Sequence, residues 1–277
     1  MPIITLTTDF GEKDHFVGAV KGAIYSELEH VRIVDISHSV SPFHITEAAY
    51  IIKNAYKSFP EGTIHIIGID SELTPQNRHI ALKLDGHYFI CANNGILSLI
   101  ASEFVPEKMV EINIHDKVET VFPVLDIFVK VAGHLSRGGT LEVIGKKISE
   151  IKQLKEHQAF CNSEQNQIKG NVLYIDNYGN VVTNITRKMF ETIGRGRKFV
   201  LRARSANFTQ IHDSYSGAID FKTENLNRED GKKIALFNSG GYIELAIYKS
   251  NPQTVGGAST LFGLEWRDTV TINFEEA

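Results

Sequence analysis

The sequence predicts an α/β N-terminal domain with a mostly parallel sheet, followed by a small all-β barrel as C-terminal domain. Strand-like and helix-like apolar patterns alternate up to about residue 156, and beyond that point short strands recur between turn residues. A polar stretch without clear period lies between the two patterns. The expected organisation is an α/β domain at 1–156, a linker at 157–169 and a β-barrel domain at 170–277.

Residues 3–8 form the first predicted strand, closed by Asp9-Phe10-Gly11. Phe16, Val20, Ala23, Ile24 and Leu28 then fall on one helical stripe. Val31 to Ile36 is a second strand and Ile45 to Tyr56 a second amphipathic helix. Thr63 to Ile69 has no polar break after His65, as a strand covered on both faces requires. Ile80–Leu84 and Tyr88–Cys91 form a hairpin through Asp85-Gly86, and helical patterns return at 96–102 and 124–135. The barrel strands are expected at 172–175, 181–185, 199–203, 234–237, 243–247 and 270–274, with 206–232, containing Tyr215-Ser216-Gly217, as a loop over them.

Composition narrows the function. Hydrophobic residues make up 42% of the 277, enough for real cores, and no apolar run reaches the ~18 residues of a membrane span. The net charge is −4, with Lys and Arg scattered, so no basic patch offers nucleic acid a footing. Cys91 and Cys161 are too sparse for a disulfide framework, and no CxxC, HxH or HExxH pair suggests a metal. A soluble, cytoplasmic, metal-free protein without a nucleic-acid or membrane partner is expected.

Six constellations could carry chemistry. Asp9 sits at the carboxyl end of the first strand, where parallel sheets bind ligands; it reads either as a helix cap or as an acceptor for both hydroxyls of a ribose diol. Asp70 ends the apolar strand and opens the polar loop 71–79, which contains Arg78. Asn93-Asn94-Gly95 is a tight turn before a helix, either a plain joint or a source of amide groups for a ligand. His134 lies eight residues after Asp126 in one helical pattern. Asp176-Asn177-Tyr178-Gly179-Asn180 joins two strands, with an aromatic able to stack on a purine, and Asn238-Ser239-Gly240-Gly241 joins two more.

These blocks, in this order, resemble the S-adenosylmethionine hydroxide adenosyltransferase family, relatives of the fluorinase and chlorinase. The matching segments are TTDFG at 7–11, DISHSVSPFHITEAAY at 35–50, IGID at 67–70, ANNGILS at 92–98, AGHL at 132–135, YIDNYGNVVTNI at 174–185 and NSGGYIELA at 238–246. The resemblance implies hydrolysis of S-adenosyl-L-methionine to adenosine and L-methionine, with no further cofactor. It also implies a homotrimer with sites between subunits. Carried over, Asp9 holds the ribose diol, Asn94 lines the site, Asp176 takes the methionine amine, Tyr178 and Asn180 meet the adenine and Ser239 the methionine carboxylate. The family's water-activating set is an Asp, an Arg and a His; Asp70 and His134 match the first and third, and Arg78 is the candidate for the second.

The sequence departs from the family in three places. The functional Arg is expected seven positions after Asp70, which here is Asn77, with Arg78 one place later. Phe122-Pro123-Val124-Leu125-Asp126 stands where relatives carry His-Gly-Arg-Asp, and Gly240 stands where the halogenases carry Arg. The alternative is therefore a catalytically silent or altered protein that binds S-adenosylmethionine or adenosine through the same cleft.

Overall fold

A computed structural model of the chain describes residues 1–101, 105–114, 119–155 and 157–276. Contacts divide it into two compact units, Met1–Glu156 and His157–Ala277. The expected ends at 102, 156 and 277 lie outside the described residues. Among the described residues no helix is long and apolar enough to cross a membrane.

The first unit is a seven-stranded mixed sheet. Its strands are β1 (Ile3–Thr8), β2 (Arg32–Ser37), β3 (Ile64–Gly68), β4 (His79–Leu84), β5 (His87–Ala92), β6 (Lys108–Ile112) and β7 (Gly145–Lys147), in the order β2-β1-β3-β5-β4-β6-β7. The ladders β2-β1-β3-β5 are parallel, while β4, β6 and β7 add antiparallel edges. Helices cover both faces. Ile4, Leu6, Ile64 and Ile66 pack with α1 (Phe16–Glu27) and with α4 (Val129–Ser136), which continues from a wide π-type turn at Val124–Phe128. Ile67 and Ile69 face the other way, onto α2 (Ile45–Ala55) and α3 (Ile96–Ile100). Both sides of β3 are thus apolar, which explains its unbroken run. A short α5 (Leu141–Ile144) leads into β7.

This topology fixes where a ligand can sit. The chain leaves β1 towards β2 on one side and returns in β3 on the other, so its direction switches between β1 and β3. Outward connections part there and leave a crevice at the carboxyl ends of the strands. Thr8 pairs with Gly68 at those ends, directly before Asp9 and just before Ile69-Asp70.

The second unit is an antiparallel, barrel-like sheet. It contains β8 (Phe160–Cys161), β9 (Gln167–Ile175), β10 (Val181–Thr186), β11 (Phe199–Ala203), β12 (Ala206–Phe208), β13 (Lys233–Phe237), β14 (Tyr242–Ile247) and β15 (Thr269–Phe274). The order β12-β11-β15-β9-β10-β14-β13 curls round one apolar core, with α6 (Arg187–Gly194) and α7 (Ala258–Phe262) attached. The segment expected to be a linker is partly sheet. Residues 167–169 begin β9 and pair with β15, and β8 pairs with β9. One face of these residues is solvated, so Gln167 and Lys169 hide the strand from an apolar count.

The first unit buries a histidine pair. His65 Nδ1 lies 2.7 Å from Thr5 Oγ1, and His65 Nε2 lies 3.3 Å from His87 Nδ1. Burial, aided by His87's charge, holds the His65 pKa down to about 3, and burial also lowers that of His87. A depressed histidine pKa gives stability that is complete above its ordinary value of 6.5 and is lost as pH falls towards the folded value. The thermal midpoint should therefore drop on acidification below 6.5, and less steeply in His65→Gln. Equal slopes for the two proteins in a melting series across pH would contradict this.

Candidate functional site

A cleft of about 560 Å³ opens at the ends of β1 and β3. Asp9, Asp70, Ser71 and Glu72 supply its polar groups; Phe10, Phe16, Phe43 and Phe122 supply aromatic walls. Asp9 leaves β1 half-buried, and its Oδ2 accepts the Phe43 N–H at 2.8 Å. Phe43 is held in a left-handed conformation (φ 62°) with its side chain exposed, 72% accessible. Burial first, then the charge of Asp70, raises the Asp9 pKa above the ordinary carboxylate value, opposed by the hydrogen bonds from Phe43 and its own backbone. Phe10, Phe16 and Phe122 pack edge-to-face or tilted, with centroids 5.3 to 5.9 Å apart. The cleft thus offers a carboxylate acceptor beside an aromatic wall, a combination suited to a sugar carrying an aromatic base.

Asp70 turns off β3 in the left-handed region (φ 44°), a strained conformation for a non-glycine residue. Two side chains hold it. Asn94 Nδ2 donates to the Ile69 carbonyl at 2.9 Å, while its Oδ1 accepts the Ile96 N–H at 3.2 Å. Asn77 Nδ2 donates to Asp70 Oδ2 at 3.1 Å, and its own Oδ1 accepts from Lys152 Nζ at 3.3 Å. Asn94 is buried, and both ends of its amide are engaged with the backbone beside Asp70.

Two expected catalytic residues lie elsewhere. Arg78 Nε pairs with Glu111 Oε1 of β6 at 3.7 Å, and the side chain is 53% exposed. Asn77 and Arg78 take different partners, and the side chain that meets Asp70 is that of Asn77, held in a turn closed by Thr74. His134 sits at the last turn of α4, its Nε2 3.0 Å from the Thr140 carbonyl. The cleft is lined at the opposite end of that helix by Thr120–Pro123. Eleven residues from Pro123 to His134 correspond to about 16 Å of helix, so one helical pattern did not mean one site. Asp126 accepts from the Thr120 hydroxyl and closes the turn before the helix.

In the second unit Asp176, Tyr178 and Asn180 lie in the turn between β9 and β10, and Ser239 lies in the turn between β13 and β14. Asp176 Oδ1 accepts the Tyr178 and Asn180 N–H groups, both at 2.8 Å, and its Oδ2 accepts from Asn180 Nδ2 at 2.9 Å. Tyr178 is 67% exposed and Ser239 is also exposed. Sequence reading missed the two residues that join these turns. Asn180 Nδ2 contacts Tyr215 Oη at 3.1 Å, and the Tyr215 hydroxyl donates to Glu244. Burial raises the Glu244 pKa, opposed by hydrogen bonds from Tyr215 and Asn238, with the charge of Asp176 acting with burial. The available signal was an acid inside the apolar run of β14. Among the described residues no group of three or more His, Cys, Asp or Glu side chains could hold a metal ion.

Comparison with known proteins fixes the family. Residues 4–145 match the SAM hydroxide adenosyltransferase N-terminal domain, and residues 170–271 match the corresponding C-terminal domain. The chain belongs to the SAM hydroxide adenosyltransferase family. It is 27% identical to a Methanocaldococcus jannaschii protein named (R)-S-adenosyl-L-methionine hydrolase, covering 98% of this chain and 96% of that protein. It is also 27% identical to a fluorinase of Actinopolyspora mzabensis, covering 88% and 90%. An uncharacterized conserved protein from Thermotoga maritima has a similar crystal structure, with TM-score 0.82 and 25% identity, covering 99% of this chain and 100% of that one. Within this SAM hydroxide adenosyltransferase family member, Phe122 and Pro123 line the cleft.

The half-buried Asp9 implies a cost to the fold. A carboxyl pKa raised by folding gives stability that is present below the unfolded value of 3.8 and is lost as pH rises through the folded value. Asp9→Asn keeps an oxygen for the Phe43 N–H and removes the charge. Its thermal midpoint should exceed that of the wild type at neutral pH and converge with it below 3.8. A lower midpoint at neutral pH would contradict the account.

Proposed function

We propose that the chain hydrolyses S-adenosyl-L-methionine to adenosine and L-methionine. One observation carries this reading: in a chain of this family, two carboxylates from adjacent parallel strands, Asp9 and Asp70, face one cleft. Asp9 accepts the ribose hydroxyls, which places C5′ towards Asp70. Water attacks C5′, the C5′–S bond breaks, and its electron pair stays on sulfur, giving a neutral thioether. The sulfonium leaves without protonation, so the protein need only orient the water, accept its proton and exclude competing solvent.

Asp70 is the acceptor for that water. Asn77 holds one of its oxygens, which leaves the other free to direct a water lone pair at carbon, and Lys152 stands behind the Asn77 amide. In the same reading Asp176, Tyr178, Asn180 and Ser239 meet the adenine and methionine ends, in a cytoplasmic, metal-free homotrimer whose sites lie between subunits. Ligand-type residues in both halves of the chain support this assembly.

A second reading has its own support. Arg78 is paired with Glu111 and His134 is tied to Thr140, so neither cation of the expected set reaches Asp70. A silent binder would share Asp9 but lack turnover.

Incubating the pure protein with each sulfonium epimer of S-adenosyl-L-methionine, and assaying adenosine and methionine, separates the two readings. Equal yields of both products, unaffected by a chelator, are expected; binding without product would establish the silent binder. Asp70→Asn should lower the single-turnover rate by about a hundredfold or more while affinity stays nearly constant. Asn77→Ala should slow it by about tenfold, the scale of one lost hydrogen bond to a charged group. Arg78→Ala should be as fast as wild type, and a slow Arg78→Ala would restore that residue to the catalytic set.

A further inference from the structure

The segment 35–44 has no role in the chemistry above, yet it surrounds Asp9. His38 follows β2 directly, and its side chain is 3% exposed. Its Nδ1 lies 2.8 Å from Thr8 Oγ1, and its main-chain carbonyl accepts the Gly11 N–H at 2.8 Å. One residue therefore grips both ends of Asp9-Phe10, by side chain at Thr8 and by backbone at Gly11. Thr8 Oγ1 also accepts the Phe10 N–H at 3.4 Å, which ties the middle of the loop to the same contact.

The imidazole is itself held. His38 Nε2 is 3.0 Å from Asp35 Oδ1, off the direction of a good hydrogen bond, and Asp35 Oδ2 accepts from Lys21 Nζ at 2.5 Å. Five residues further on, the same segment delivers the Phe43 N–H to the Asp9 carboxylate. β1 and β2 are parallel neighbours whose register shifts after Leu6, so the ladder alone does not set where the residues beyond Thr8 lie. A side-chain contact across the two strand ends supplies that alignment. Thr8 is fully buried, so its hydroxyl needs a partner wherever the loop sits.

We infer that His38 is the positioning residue for Asp9, fixing the loop so that the carboxylate meets the ribose, and acting on nucleoside affinity instead of the chemical step. The inference rests on the reading of Asp9 as the ribose acceptor. His38→Leu removes the contact with Thr8, whereas His38→Asn puts an amide near the Nδ1 position and can keep it. Thr8→Val removes the same contact from the other side with little change of shape.

The experiment is calorimetric titration of adenosine, with steady-state kinetics on S-adenosyl-L-methionine, for the wild type and the three variants. His38→Leu and Thr8→Val should each weaken adenosine binding about tenfold and raise KM similarly, with kcat changed far less. His38→Asn should recover most of the affinity. The double variant His38→Leu/Thr8→Val should bind no more weakly than either single one, because both lose one contact. Should His38→Leu not fold, Thr8→Val against wild type reads the same contact. Unchanged affinity in Thr8→Val, or a His38→Asn protein as weak as His38→Leu, overturns the inference. If the wild type does not bind adenosine, the reading of Asp9 fails first and this inference with it.

Discussion

The Phe43 N–H donated to the Asp9 carboxylate is the contact around which the first unit's site is arranged. An ionised carboxylate taken partly out of water needs donors beyond the one its own backbone supplies. The donors must come from a neighbouring connection, here the stretch that leaves β2 and turns back at Phe43. That turn needs a left-handed residue, and Phe43 adopts it with its ring out in solvent. Strain, an exposed aromatic and a raised carboxyl pKa thus meet at one hydrogen bond between two loops.

Asp70 shows the same economy by other means. It too bends out of a buried strand in a strained conformation, and its supports are amides: Asn94 below, Asn77 beside. Where relatives are expected to bring a guanidinium to this carboxylate, the chain brings a neutral amide with an ammonium behind it. A neutral donor fixes the direction of a carboxylate oxygen without pairing it to a full charge. A guanidinium in that place would add charge stabilisation for a developing hydroxide.

Much of this was legible in the sequence because it depends on strand ends. An apolar run that stops at an acid, twice, in an α/β pattern, points to the strand ends at a switch point, and the two acids it singles out, Asp9 and Asp70, line one cleft. The rest was not legible, for reasons that differ from residue to residue. Proximity in sequence points to Arg78, but in the turn closed by Thr74 it is Asn77 whose side chain meets Asp70. His134 was placed by helical phase, which fixes the face but not the distance along the axis. Asn94 was read as a ligand group because nothing in a linear sequence reveals that its amide is occupied by the Ile69 carbonyl. Tyr215 and Glu244 meet only when a long loop folds over β14, and the half-solvated strand β9 hid its first residues among polar side chains.

The central claim is that the Asp9 carboxylate recognises the ribose diol, and it is tested most directly by comparing adenosine with 2′,3′-dideoxyadenosine in calorimetric titrations of wild type and Asp9→Asn. The wild type should prefer adenosine by about tenfold or more, the scale of hydrogen bonds to a charged acceptor, and Asp9→Asn should lose most of that preference. Equal affinity of the wild type for the two nucleosides, or a preference that survives unchanged in Asp9→Asn, would contradict the account.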